Sequence, residues 1–174
     1  KRLSKTTITK HVQSPERLLD EATLFLHCEV EKMAPAKREM LKSLHQSEKV
    51  LEGKRVLIVD DDIRNIFAMT SVLERFKMRV VSAENGRDAI QLLVDQRDID
   101  VVLMDIMLPT MDGYTTIRAI REISEFKDLP IIAVTAKAMK GDREKCLAAG
   151  ASDYICKPVE AEQLRSALRL WVRR

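Results

Sequence analysis

The rhythm of apolar and polar positions along the 174-residue chain changes at Gly53. Before it there is no glycine, and apolar residues recur at helical spacing at Leu18, Ala22, Phe25, Leu26 and Met33, behind a Ser14-Pro15 start signal. A weaker repeat after Pro35 puts Leu41, Leu44 and Leu51 on one side of a second helix. The pattern predicts a helical linker or extension over residues 1–53, packed on the main domain or on a neighbour. From Lys54 onward, short β-branched runs alternate with helical periods, the signature of βαβ units. The strand candidates are "RVLIV" (55–59), "RVVSA" (79–83), "DVVLM" (100–104), "PIIAVT" (130–135) and "DYIC" (153–156).

Between and after these runs, five helix faces are marked. Ile66, Met69, Leu73 and Phe76 form one, then Ala89, Ile90 and Leu93, then Ile117, Ile120 and Ile123. A fourth spans about 138–149 and stops at Gly150, and Leu164, Ala167, Leu168 and Trp171 mark the fifth. Near-continuous apolar strands separated by helices predict an α/β domain over residues 54–174, a parallel sheet covered on both faces with right-handed crossovers.

Composition removes several function classes. Thirty Lys and Arg against 27 Asp and Glu give a formal charge of +3 with no basic block, which argues against nucleic-acid binding. Cys28, Cys146 and Cys156 form no CxxC pair and read as reduced thiols of a cytoplasmic protein. No apolar run reaches the roughly 18 residues of a membrane span. The chain opens at Lys1, as a fragment of a longer protein would, and a membrane-anchored parent is compatible with that. His11, His27 and His45 lack the sequence context of a phosphorylated histidine.

In a parallel sheet of this kind the active crevice lies beyond the carboxyl ends of the strands. The residues that finish the strands are therefore the ones that carry chemistry: Asp60 and Asp61, Asp105, Thr135 and Lys157. The second strand runs into "AENG", which reads as turn and helix-start chemistry alone. Of the three acids in "VLIVDDD", Asp62 is expected to cap the following helix, where a carboxylate meets the positive end of the helix dipole. Asp105 interrupts the apolar "VVLMDIML", and an ionised carboxylate there would cost several kcal/mol if it were buried unpaired.

Carboxylates gathered within about 4 Å repel by about 4 kcal/mol per pair at an effective dielectric near 20. They must take up protons or share a cation. A hard divalent ion with oxygen ligands removes the conflict, and Mg²⁺ suits an open rim because it keeps waters and leaves a face for phosphate oxygens. An ammonium and a hydroxyl beside it can hold a tetrahedral dianion, and one carboxylate can act as the nucleophile that accepts it. The chemistry suggested is phosphoryl transfer to an aspartate.

On "LIVDDD", "VVLMDIMLPTMDGY", "IIAVTAKAMKGD" and "GASDYICKPV", residues 54–174 resemble a two-component response-regulator receiver domain. The resemblance implies a flavodoxin-like, doubly wound sheet in the order 2-1-3-4-5. It implies Asp105 as phosphoacceptor, with Mg²⁺ bound by Asp61, Asp105 and the Met107 backbone carbonyl, and by Asp60 through water. Thr135 and Lys157 would hold phosphoryl oxygens, Tyr154 would follow the Thr135 hydroxyl as a switch, and Lys157-Pro158 would be cis. The expected phosphodonor is the phosphohistidine domain of a histidine kinase or a histidine phosphotransfer protein. The domain is expected to act as a monomer.

More narrowly, "DDDIRNIFAMTSVLE" and "TAKAMKGDREKCLAAGASDYICKPV" resemble the C-terminal receivers of bacterial hybrid sensor histidine kinases. No ATP-binding glycine motif marks a kinase core in this stretch, and no DNA-binding output domain is expected after the fifth helix. As an enzyme the domain would catalyse only its own phosphorylation and dephosphorylation. Met107 and Lys137 stand where related receivers carry Asn and Glu, positions that tune dephosphorylation in the family.

Rival readings leave marks this sequence lacks. A haloacid-dehalogenase-type phosphatase wants Thr or Val where "DDDIR" has Arg64, and a flavodoxin-like cofactor binder wants a hydroxyl- and glycine-rich loop where this chain has acids. A phosphorylation-independent receiver-like interaction module would be expected to lose the acceptor or the lysine. Both are present.

Overall fold

A computed structural model describes residues 50–136 and 141–172. The helices expected before Gly53, with His11, His27, His45 and Cys28, lie outside the described residues, as does Lys137. Every described residue belongs to one compact unit, Lys49–Arg174.

Five strands alternate with five helices: β1 (Arg55–Val59), α1 (Ile63–Arg75), β2 (Arg79–Ala83), α2 (Gly86–Asp95), β3 (Val101–Asp105), α3 (Gly113–Glu122), β4 (Ile131–Thr135), α4 (Asp142–Ala148), β5 (Asp153–Cys156) and α5 (Ala161–Val172). A single 3₁₀ turn, Ser124–Phe126, follows α3. All strand pairs are parallel, in the order β2-β1-β3-β4-β5. This is the doubly wound, flavodoxin-like order, whose crevice opens where the chain reverses direction, beside β1 and β3.

Alternation along each strand builds two apolar layers, because successive side chains point to opposite faces. Leu57, Val59, Val102, Met104 and Ala133 face α2, α3 and α4, meeting Ala89, Leu93, Ile117, Ile120 and Cys146. Val56, Ile58, Val101, Leu103, Ile132 and Val134 face α1 and α5, meeting Ile66, Met69, Leu73, Leu164 and Leu168. Each fully buried aliphatic side chain contributes about 1.5–3 kcal/mol. Strands buried on both faces therefore leave polar chemistry only at their ends.

Several boundaries differ from the sequence pattern: the fourth helix, expected from about residue 138, starts at Asp142 behind the Gly141 cap. The third strand runs through Asp105, since that residue pairs with Val134 and the next amide, Ile106, still donates to the Val134 carbonyl at 3.0 Å. Pro130 has no N–H to give the ladder and stays outside β4, though its carbonyl accepts from Val102 at 2.9 Å. Leu51 is buried in the α1/α5 layer, because a turn at Gly53 (φ 77°), tied to the Lys77 carbonyl at 2.9 Å, folds it back onto the sheet. The packed unit thus starts ahead of Gly53.

Candidate functional site

Each loop at the carboxyl edge is shaped by local chemistry. Asp62 caps α1: its Oδ1 accepts from the Arg64 amide at 2.9 Å. The Arg64 side chain, donating to the same carboxylate, holds its pKa down to about 2. Asn85 caps α2 by accepting from the Asp88 amide at 2.9 Å, and Asp112 caps α3 by accepting from the Thr115 amide at 2.7 Å. Gly113 lets the start of α3 close on the β3 loop. A Cβ there would stand 2.2 Å from the Asp105 carbonyl oxygen, and the Gly113 amide donates to the Ile106 carbonyl at 3.1 Å.

These loops bring Asp60, Asp61 and Asp105 together. One oxygen from each lies within 4.8 Å of the others, the one such acidic group among the described residues. Asp60 is fully buried and Asp105 is 4% exposed, whereas Asp61 is exposed. The Lys157 Nζ donates to Asp60 Oδ2 and Asp105 Oδ2, both at 2.7 Å. Partial burial works against the ammonium charge, but its hydrogen bonds to Asp105 and Asp60 prevail and raise its pKa. Asp60 Oδ1 accepts from the Asp62 amide at 2.9 Å and from Asn65 Nδ2 at 3.0 Å. Asp105 Oδ1 accepts from the Met107 amide at 3.0 Å.

Of the remaining expected residues, Thr135 ends β4 and Tyr154 lies within β5. Thr135 is buried at the end of β4, and its carbonyl accepts from the Lys157 amide at 2.7 Å. That bond joins the tips of β4 and β5 and sets Lys157 on the rim. The Lys157-Pro158 peptide is cis. Tyr154 is half-buried against the α2–α4 layer, with the Arg143 guanidinium 6.0 Å from its ring centroid. Asn65 escaped the sequence reading. The available signal was its place in "DDDIRN", one helical turn beyond the acids, since side chains in a first turn lean back toward the helix start. The Met107 amide was missed too, for backbone donors leave no mark on a sequence.

Three carboxylates against one ammonium leave a concentration of negative charge that a further cation would relieve. The donor set is all oxygen and sits on an open rim, which fits a small hard ion such as Mg²⁺. Around the rim are three exposed apolar side chains: Ile63 (65%) and Phe67 (74%), one turn apart on α1, and Met107 (54%) in the β3 loop. No described helix is long and apolar enough to cross a membrane.

Comparison with known proteins agrees with this geometry. The family model described as the response regulator receiver domain matches residues 56–169. The signal transduction histidine-protein kinase BarA of Escherichia coli K12 is 34% identical over 155 residues, a match covering 89% of this chain and only 16% of that kinase. Among solved structures, the receiver domain of the sensor histidine kinase PA1611 from Pseudomonas aeruginosa PAO1 is 38% identical with a TM-score of 0.65. That likeness covers 70% of this chain and 99% of the other, whose active-site cleft coordinates a magnesium ion. The receiver domain of Ssk1, in a co-crystal with the Saccharomyces cerevisiae histidine phosphotransfer protein Ypd1, is 26% identical at a TM-score of 0.65, covering 71% of this chain and 91% of that one.

Proposed function

The chain belongs to the response regulator receiver domain family of two-component signalling, and from that footing we propose that Asp105 accepts a phosphoryl group from a phosphohistidine on a partner protein. The observation that carries the reading is the convergence on one rim of an enclosed carboxylate, two further acids and an ammonium 2.7 Å from the Asp105 oxygen. In the transfer, an Asp105 oxygen attacks phosphorus, the P–N bond to the donor imidazole breaks, and its electron pair stays on the ring nitrogen. Asp61, Asp105 and the Met107 carbonyl would hold Mg²⁺, with Asp60 behind them. When bound, the ion supplies positive charge against the phosphoryl oxygens. Lys157 then exchanges a carboxylate oxygen for a phosphoryl oxygen, and Thr135 donates its hydroxyl to another. Movement of Thr135 toward the phosphoryl group, with Tyr154 following, would shift the population toward a second arrangement of β4, α4 and β5.

The donor is a macromolecule carrying its histidine on a surface that can cover the rim. Support comes from the apolar side chains of Ile63, Phe67 and Met107 left exposed around the acids. A histidine phosphotransfer protein or a kinase phosphohistidine domain fits, and the likeness to BarA supports a parent that is a hybrid sensor kinase.

Incubation with acetyl phosphate and Mg²⁺, followed by intact mass measurement, tests the central step. Wild type is expected to gain one acid-stable, base-labile phosphate, and Asp105→Asn none. A phosphate gained equally by both, or by neither, would overturn the assignment.

A further inference from the structure

We infer that Asn65 is a positioning residue for the acidic site, acting on cation binding through Asp60; the inference rests on the receiver reading above. Asn65 is the third residue of α1, one turn beyond the Asp62 cap. A polar residue at that position commonly reaches back to accept from the cap residue's own amide, which closes a capping box. Here that amide is already taken, because the Asp62 N–H donates to Asp60 Oδ1 at 2.9 Å. Asn65 works in the opposite sense: its Nδ2 donates to the same Asp60 Oδ1 at 3.0 Å. The helix start needs no help from it, since the Asp62 side chain holds the Arg64 amide and the Asp62 carbonyl receives the amides of Asn65 and Ile66.

The consequence falls on Asp60, which has no solvent to turn to. Two donors fix Oδ1 at the α1 side, leaving Oδ2 toward Lys157 and Asp105. A carboxylate gripped at one oxygen keeps its plane, so its other oxygen stays aimed at the rim where a cation would sit. With Asn65 removed, one backbone donor remains on Oδ1. Asp60 is then free to turn about that single donor, and an arriving cation must restore the orientation before the carboxylate can serve it. Hydrogen bonds to a charged acceptor are among the stronger ones, strong enough for about a tenfold effect on an equilibrium.

The test uses the full chain. Mg²⁺ binding is measured by calorimetry for wild type, for Asn65→Leu, which has similar bulk and no donor, and for Asn65→Gln, which keeps the amide. Thermal melting of each without metal serves as the control for folding. Asn65→Leu is expected to raise the Mg²⁺ Kd about tenfold, Asn65→Gln to recover most of that loss, and each variant to melt cooperatively without metal, so that binding is read on folded protein. Independently, the side-chain amide protons of Asn65 in wild type are expected to lie downfield by NMR and to lose that shift in Asp60→Asn. An Asn65→Leu protein that binds Mg²⁺ like wild type, a loss that Asn65→Gln does not restore, or an amide signal blind to Asp60→Asn would overturn the inference alone. A wild type that neither binds Mg²⁺ nor takes phosphate from acetyl phosphate would overturn the receiver reading and the inference together.

Discussion

The Lys157 ammonium stands 2.7 Å from Asp60 Oδ2 and 2.7 Å from Asp105 Oδ2, so one cation from the end of β5 bridges carboxylates delivered by β1 and β3. Removing it leaves two enclosed carboxylates facing each other and the exposed Asp61. Lys157→Met is expected to lower metal-free stability by about 3 kcal/mol. Mg²⁺ should recover more stability in this variant than in wild type, because it would replace the lost charge. Urea unfolding of both proteins with and without Mg²⁺ checks this, and an equal Mg²⁺ effect in the two would count against the bridge.

Gly113 is where α3 touches the acceptor strand. A methyl group at this position would meet the Asp105 carbonyl oxygen at 2.2 Å and Ile106 Cα at 2.7 Å, both rigid backbone. Gly113→Ala should therefore destabilise by about 1–3 kcal/mol. Since the displaced backbone carries Asp105, phosphorylation by acetyl phosphate should slow by more than the loss of folded protein explains. Paired denaturation and mass measurements separate the two effects.

Asp112 caps α3 with its carboxylate, and the Thr115 side chain and amide bonded to it lower its pKa below the ordinary 3.8. A depressed folded-state pKa contributes stability that is present above the unfolded value and lost as pH falls through the folded one. Asp112→Asn keeps a capping oxygen and loses the charge. The gap in stability between wild type and Asp112→Asn should hold constant near neutrality and close as pH drops below about 3.8. A gap that widened in acid would contradict the assignment.

Met107 is 54% exposed directly beyond the acceptor, with its amide bound to Asp105 Oδ1 and its side chain offering no polar atom to an incoming water. Lys137 lies two residues past Thr135 in sequence. Installing Met107→Asn and Lys137→Glu together is expected to shift the lifetime of the aspartyl phosphate several-fold. Loss of the phosphate adduct over time, followed by mass, measures it. An unchanged rate would show that these positions do not govern hydrolysis here.

Much of this protein follows from the sequence alone, for a physical reason in each case. Apolar runs such as "VLIV" and "VVLM" bury on both faces only in a helix-covered parallel sheet, so β1 and β3 were legible with their acids at the exit. Asp62 was legible as a cap because capping is settled within one turn of chain. Thr135 and Lys157 could be placed on the rim because strand ends in such a sheet share one edge. Tertiary structure decided what depends on distance between elements. It joined Asp60 to Lys157, 97 residues apart, made Asp60 the enclosed acid and Asp61 the exposed one, and set Leu51 in the core ahead of Gly53. It also gave Asn65 a partner five residues upstream. Adjacent acids are equivalent letters in a row until a strand end points one inward and the next outward, and only packing assigns those directions.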